Sequence, residues 1–570
     1  MISNRRSATC VGLVLVFLSL VAACTAQQGE PADRGAPAAE IRGPDWFEEV
    51  ASSRGIDFVH RSGHRQRHLF PEIFGGGAAL LDADGDGDLD VYLVQSDSLT
   101  ADDGRREGNR LYLNRGDGNF DEADAKSGAA DPGYGMGAAA GDYDNDGDVD
   151  LYVTNFGANA LLRNDGSGRF EDVTARAGVG DPRWSTSAVF VDYDADGDLD
   201  LYVANYVNWS IATELDCFNN FGAADFCLPT NYNAPARDTL YRNEGDGRFA
   251  DVSDAAGLRS SLGNGLGVVA GDFDADGRID LFVANDMMMN QLWINQGGDR
   301  FEDRAMIFGC AVDEHGTIKA GMGIAAADPD DDGDLDAIVV NLQDQSDSFF
   351  RNEGGFFVDA TASFGVVSSS RRFTRFGVGF PDLDNDGYLD LYFANGRVVR
   401  HAEPRAGEEF EEPNLLLRGG ADGRFELVRP LGGTATPLVA TSRAAAFGDF
   451  DDDGGIDVLV GNREGPAHLL RNVHPARGNW LRFRVLNAHG RDALGAVLTV
   501  RSGERRLRRD VLSGYSYCAA NDPRVHVGLG DRPAVEGVRV RWVDGAEEEF
   551  GRFDAGQDVI LRRGAGQPAT

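Results

Sequence analysis

Seven short stretches of this chain follow one rule, D-x-D-x-D-G-x-x-D. The acidic positions are Asp82, Asp84, Asp86 and Asp90 in the first stretch, and Asp142, Asp144, Asp146 and Asp150 in the second. The third has Asp192, Asp194, Asp196 and Asp200; the fourth has Asp272, Asp274, Asp276 and Asp280. Then come Asp328, Asp330, Asp332 and Asp336; Asp382, Asp384, Asp386 and Asp390; and Asp449, Asp451, Asp453 and Asp457. That places 28 carboxylates in seven tight turns. Four negative charges a few ångströms apart repel strongly unless a cation sits among them. A hard ion with oxygen ligands removes the conflict, and calcium accepts roughly six to eight oxygens in a flexible geometry. These aspartates are the candidate metal ligands, and about seven structural Ca2+ ions are the implied cofactor.

The other columns say how each turn is built. Position 6 is glycine in all seven copies, as a sharp reversal around an ion requires. Position 7 ranges from Asp88 to Arg278, Tyr388 and Gly455, which suits a residue that offers only its carbonyl. Position 8 is always aliphatic and anchors the loop in a core. An EF-hand would need Glu at position 12 and a helix on each side. Here position 12 is Leu93, Val153, Val203, Val283, Val339, Phe393 or Val460, inside strand-like runs, so that reading fails.

The loops recur 50 to 80 residues apart inside one order of segments. A small-residue run such as Gly137-Ala138-Ala139-Ala140 enters the loop and an apolar strand leaves it. A segment ending in asparagine follows, such as Leu240-Tyr241-Arg242-Asn243, then a glycine turn and a strand such as Phe249-Ala250-Asp251-Val252. Four short strands per unit without helical periodicity predict an all-β, seven-bladed β-propeller. After the seventh loop the fourth strand is missing, and Trp46-Phe47-Glu48-Glu49-Val50 resembles it. We expect this N-terminal segment to close the ring; a strand from Trp480 onward is the competing closure.

The chain has 570 residues, 93 acidic against 54 basic, a net charge of −39. Such a field repels nucleic acid and anionic membrane surfaces. Arg5 and Arg6 followed by an apolar run from Val11 to Ala23 read as an export signal over residues 1–23. The run ends in Val21-Ala22-Ala23-Cys24, which resembles the bacterial lipobox and implies lipid on the Cys24 sulfur. Ordinary signal cleavage beside an incidental cysteine is the other reading. Residues 24–45, rich in Ala, Pro and Gly, suit a flexible tether. Cys217 and Cys227 flank a Gly/Asn-rich loop and are expected to pair, since an exported chain meets oxidising conditions. Whether Cys310 and Cys518 pair is left open.

The loops resemble FG-GAP/VCBS repeats, as in the propellers of integrin α-subunits. Phe58-Val59-His60-Arg61-Ser62-Gly63, Pro71-Glu72-Ile73-Phe74-Gly75-Gly76-Gly77 and Gly135-Met136-Gly137 resemble the cartilage acidic protein family. Past the propeller (46–476), Asn479-Trp480-Leu481, Ser513-Gly514-Tyr515, His526-Val527-Gly528-Leu529-Gly530 and Val540-Arg541-Trp542-Val543-Asp544-Gly545 are similar to the ASPIC/UnbV domain (479–565), expected as a small β-sandwich-like unit. The resemblance implies a calcium-binding, extracellular or cell-surface protein with no catalytic residue to carry over. The expected function is a non-enzymatic binding or adhesion scaffold for protein or glycan, touching membrane only through its lipid anchor. The insertion over residues 207–237 is the expected ligand face. The alternative is an extracellular polysaccharide lyase or hydrolase with its site at the propeller channel. His60, His64, His68 and Glu72 are the only dense cluster able to supply an acid–base pair.

Overall fold

A computed structural model describes residues 40–65, 67–100, 107–400 and 410–569. The expected signal peptide, Cys24 and most of the tether lie outside them. Seven antiparallel sheets repeat the predicted four-strand unit. The second is representative: Tyr134–Gly141 lies innermost, followed outward by Asp150–Phe156, Ala160–Asn164 and Phe170–Asp172. The innermost strands touch their neighbours in chain order, and the seventh returns to the first, so the sheets form a closed ring. Small side chains are required there because backbones converge. A Cβ on Gly137 would lie 2.8 Å from the Cβ of Cys518.

The ring closes as expected. Phe47–Glu49 pairs antiparallel with His468–Asn472, Phe47 opposite Asn472, and supplies the outer strand of the seventh sheet. One boundary needs correction. Glu40–Arg42, assigned to the tether, pairs in parallel with Phe425–Arg429 on the outer edge of the sixth sheet.

The C-terminal unit is a small sandwich. Asn479–Leu486 pairs antiparallel with Val525–Gly530 and parallel with Gln557–Arg562. Opposite lies a five-stranded sheet built around Val497–Ser502 and Gly537–Arg541. Its buried Phe483, Leu498, Val540 and Trp542 belong to the same apolar cluster as Tyr152 and Val203 of the second and third sheets. Two units with one continuous core behave as one body.

Residues 513–522 leave this sandwich and enter the ring. Ser513 Oγ donates to the Ala140 carbonyl, Ser516 exchanges two backbone bonds with Ile324, and Val378 N–H donates to Ser516 Oγ. Cys518 N–H donates to Ser187 Oγ, its carbonyl accepts from Ala78 N–H, and Phe447 N–H donates to Asn521 Oδ1. Six of the seven sheets are bonded to this one segment. Tyr517 is fully buried against the edge of Phe376, with ring centroids 4.9 Å apart.

Candidate metal centres

Each aspartate of the repeat has its own place. The position-1 carboxylate accepts the N–H of the position-6 glycine in all seven loops, at 2.8–3.2 Å. The position-5 carboxylate accepts the position-7 N–H at 2.8–3.1 Å. Every position-6 glycine has φ between 81° and 98°, a left-handed backbone that an L side chain would strain. Position 4 is left-handed too, although Ala195, Ala275, Asn145, Asn385, Asp331 and Asp452 occupy it in six of the loops. The varied residue types in that column hid this second reversal from a sequence reading.

Position 9 is buried and ties the loop to its sheet. Asp90, for example, accepts from Ala83 N–H and from Asn114 N–H, at 2.8 and 2.7 Å. The asparagine on the third strand then reaches sideways. Asn295 Nδ2 donates to the Ile279 carbonyl of its own loop and to the Tyr193 carbonyl of the preceding sheet. Asn114, Asn164, Asn243, Asn352 and Asn472 do the same at their own junctions. Only the junction of the fifth and sixth sheets lacks this bond, because Gly419 stands in the asparagine column. Pro329, at position 2 of the fifth loop, has no N–H to give, and Asp336 Oδ2 is a buried oxygen without a partner.

The donor set fits a cation. In every loop at least one buried carboxylate oxygen has no hydrogen-bond partner: Oδ1 of Asp84, Asp144, Asp192, Asp272, Asp330, Asp382 and Asp451, with Asp336 Oδ2 a second in the fifth loop. An orphaned buried acceptor costs free energy, and one in every loop, at position 3 in four loops and position 1 in three, points to a missing cation. Burial pushes Asp90 up to about 8 and Asp200 and Asp336 up to about 9. Burial likewise raises Asp192 and Asp328 to about 7 and Asp382 to about 8. A divalent ion held by positions 1, 3, 5 and 9 and the position-7 carbonyl would relieve both the desolvation and the mutual repulsion.

The sequence reading missed what covers these loops. Residues 479–570 carry 15 arginines against 12 acidic residues, whereas the whole chain stands at −39. Six of those arginines reach the loops. Arg524 donates to the Gly87 carbonyl, Arg491 to Asn145 and the Gly197 carbonyl, and Arg541 to Asp272 at 2.8 Å. Arg505 bridges Asp331 and the Gly387 carbonyl, Arg508 meets the Gly333 carbonyl, and Arg482 meets Asp449 at 3.2 Å. The local arginine excess was visible; its targets, up to several hundred residues away, were not.

The opposite end of the ring is closed by residues 60–76. Phe70 and Phe74 pack on Trp184 and Tyr206 near the axis. His60 is buried, bonded to Ser96 Oγ at 3.0 Å, and lowered by burial to about 3. His64 Nδ1 lies 2.7 Å from Oε2 of the buried Glu72, and His68 packs tilted against His64 and edge-on against Phe226. The cluster is thus part of a packed cover. Beside it, Cys217 and Cys227 are disulfide-bonded with Cα atoms 5.2 Å apart, while Cys310 and Cys518 are buried unpaired thiols.

Comparison with known proteins agrees with this architecture. The FG-GAP-like repeat family matches residues 82–153, 142–203, 218–283 and 272–339, and the ASPIC and UnbV family matches residues 487–568. The chain carries FG-GAP-like repeats, built as a β-propeller, together with an ASPIC and UnbV domain. It is similar to cartilage acidic protein 1 from Xenopus tropicalis, 28% identical over 305 residues, 52% of this chain and 44% of that protein. The Homo sapiens protein of the same name is 27% identical over 303 residues, 52% of this chain and 43% of that one. The match thus spans less than half the length of these relatives. Among solved structures, YCF48 bound to D1 peptide gives a TM-score of 0.40 at 10% identity, covering 77% of this chain and 98% of that one. A lectin of Agrocybe aegerita, described as recognising non-reducing terminal N-acetylglucosamine, gives 0.36 at 17% identity, covering 68% and 86%. Neither likeness is close enough to speak of ligands. Among the described residues no helix is long and apolar enough to cross a membrane.

Proposed function

We propose that the chain is a calcium-stabilised scaffold of the cell surface, non-enzymatic, that presents its ring to a protein or glycan partner. The observation that carries the reading is the buried carboxylate oxygen left without a donor in each of the seven loops. One ion per loop, at ten times its dissociation constant, adds about 1.4 kcal/mol, so seven contribute on the order of 10 kcal/mol. That equals the net stability of many domains, and it makes calcium a structural element here. The alternative, a lyase or hydrolase with its site in the channel, finds that seat filled by residues 513–522. The test is a calcium titration into chelator-stripped protein, followed by calorimetry. Uptake should saturate near seven ions per chain and raise the melting temperature by about 10 °C or more. No uptake and an unchanged melt would sink the reading.

A further inference from the structure

The 28 loop aspartates all lie at one end of the sheets, under the C-terminal unit. The connections at the other end carry a different chemistry. Residues 60–68 contain three arginines and three histidines and no acid, in a chain whose net charge is −39. Arg61, Arg65 and Arg67 are exposed, and His64 and His68 half-buried. Beneath them Arg443 is fully buried, bonded to the carbonyls of Ile73, Gly396, Arg397 and Ser442.

The disulfide hairpin rises beside this basic run. His68 meets Phe226 edge-to-face with ring centroids 4.8 Å apart, Arg67 donates to the Glu214 carbonyl, and Arg400 N–H donates to Asp225. At its tip, Phe218 and Phe221 are 66% and 68% exposed, the two most exposed large apolar side chains among the described residues. Ile211 and Leu215, 45% and 43% exposed, continue the apolar surface. The tip is held rigid. Asn219 Oδ1 accepts from Phe221 N–H and Ala223 N–H, and the Cys217–Cys227 bond closes the base. Acids are present but partnered: Asp216 faces Arg67 at 3.3 Å and Glu107 faces Arg61 at 3.6 Å.

We propose that this face docks on an anionic lipid surface, with Phe218 and Phe221 entering the headgroup boundary beside the basic run of Arg61, Arg65 and Arg67. An exposed aromatic tip beside a run of arginines matches such an interface on both counts, apolar insertion and attraction to acidic headgroups. The net charge of the chain does not oppose it. The loop aspartates are at the far end, where calcium would neutralise many of them, and screening acts within about 8–10 Å. This goes beyond the scaffold reading and replaces the expectation that a lipid anchor is the sole membrane contact.

The test is co-sedimentation of the calcium-loaded chain, disulfide intact, with vesicles of equal parts phosphatidylcholine and phosphatidylglycerol. The wild type should sediment with them and release as salt rises. Phe218→Ser with Phe221→Ser should lower the bound fraction tenfold or more. Arg61→Ala with Arg65→Ala and Arg67→Ala should lower it several-fold and flatten the salt dependence. Both variants alter exposed side chains, and unchanged melting temperatures will show intact folds. The proposal is overturned if the wild type stays in the supernatant, or if the phenylalanine variant binds as well as the wild type. Retention on polygalacturonate that depends on the arginines, with vesicles ignored, overturns it as well and makes the face a polysaccharide site.

Discussion

Two kinds of junction hold the ring together. Six are pinned by an asparagine that bonds its own loop and the backbone of the sheet before it. The seventh, between the fifth and sixth sheets, has Gly419 and Pro329 where the others have a donor and an N–H. Phenylalanines and the fully buried ion pair of Arg375 with Asp347 hold it instead. Phe349 stacks on Phe364 at 4.1 Å, and both meet Phe425 near 6 Å, with Phe380 packed alongside. Apolar contact is non-directional, whereas each asparagine fixes one register. The ring is therefore pinned by an asparagine at six places, and held at the seventh by packed phenylalanines with the buried Arg375–Asp347 ion pair.

The largest expected effect exposes that difference by removing the ions. In the calcium-free chain, Asp90, Asp200 and Asp336 have folded values raised to about 8 or 9 against an ordinary value near 4. A carboxyl raised by folding is protonated in the fold at low pH and ionised against its burial at high pH. Stability is then lost as pH climbs from about 4 through the raised values. Calorimetry of stripped protein should show melting several degrees lower at pH 8 than at pH 5, with amide exchange rising first along Ser348–Asn352 and Arg375–Gly379. A flat pH profile, or first opening at a pinned junction, would erase the distinction.

Next in size is the asparagine itself. Asn295→Ala leaves two buried carbonyls without a donor and should cost about 3 kcal/mol in denaturant unfolding. The converse, Gly419→Asn, should not restore the missing pin. A Cβ at Gly419 would lie 2.0 Å from the Leu389 carbonyl oxygen, so the substitution destabilises. The smallest effect belongs to Pro329→Ala, which gives Asp336 Oδ2 the N–H it lacks. A gain of about 1 kcal/mol is expected, reduced by the greater freedom of the unfolded chain. A loss would mean that the proline shapes the fifth loop.

Much of the ring was readable because its signals are local. Aspartates at positions 1, 3, 5 and 9, glycine at position 6 and an apolar position 12 each report geometry within a dozen residues. The closing strand Phe47–Glu49 was found because it repeats the pattern of Phe249–Asp251. What escaped depends on contacts remote in sequence. Nothing near Arg541 announces Asp272, nothing near Ser516 announces Ile324, and the second left-handed residue at Ala195 or Ala275 has no glycine to mark it. The exposed tip of Phe218 and Phe221 was likewise invisible, since a phenylalanine in a loop is more often buried than presented.

Residues 513–522 have a bearing on how the molecule is made. An axle formed from residues 513–522 cannot be seated until all seven sheets have already emerged. The first sheet, whose Ala78–Leu81 borders Ala519–Ala520, must wait with that edge unpaired through the synthesis of some four hundred residues. Assembly is then a late commitment, and a chain cut short before this segment would be a wheel without a hub.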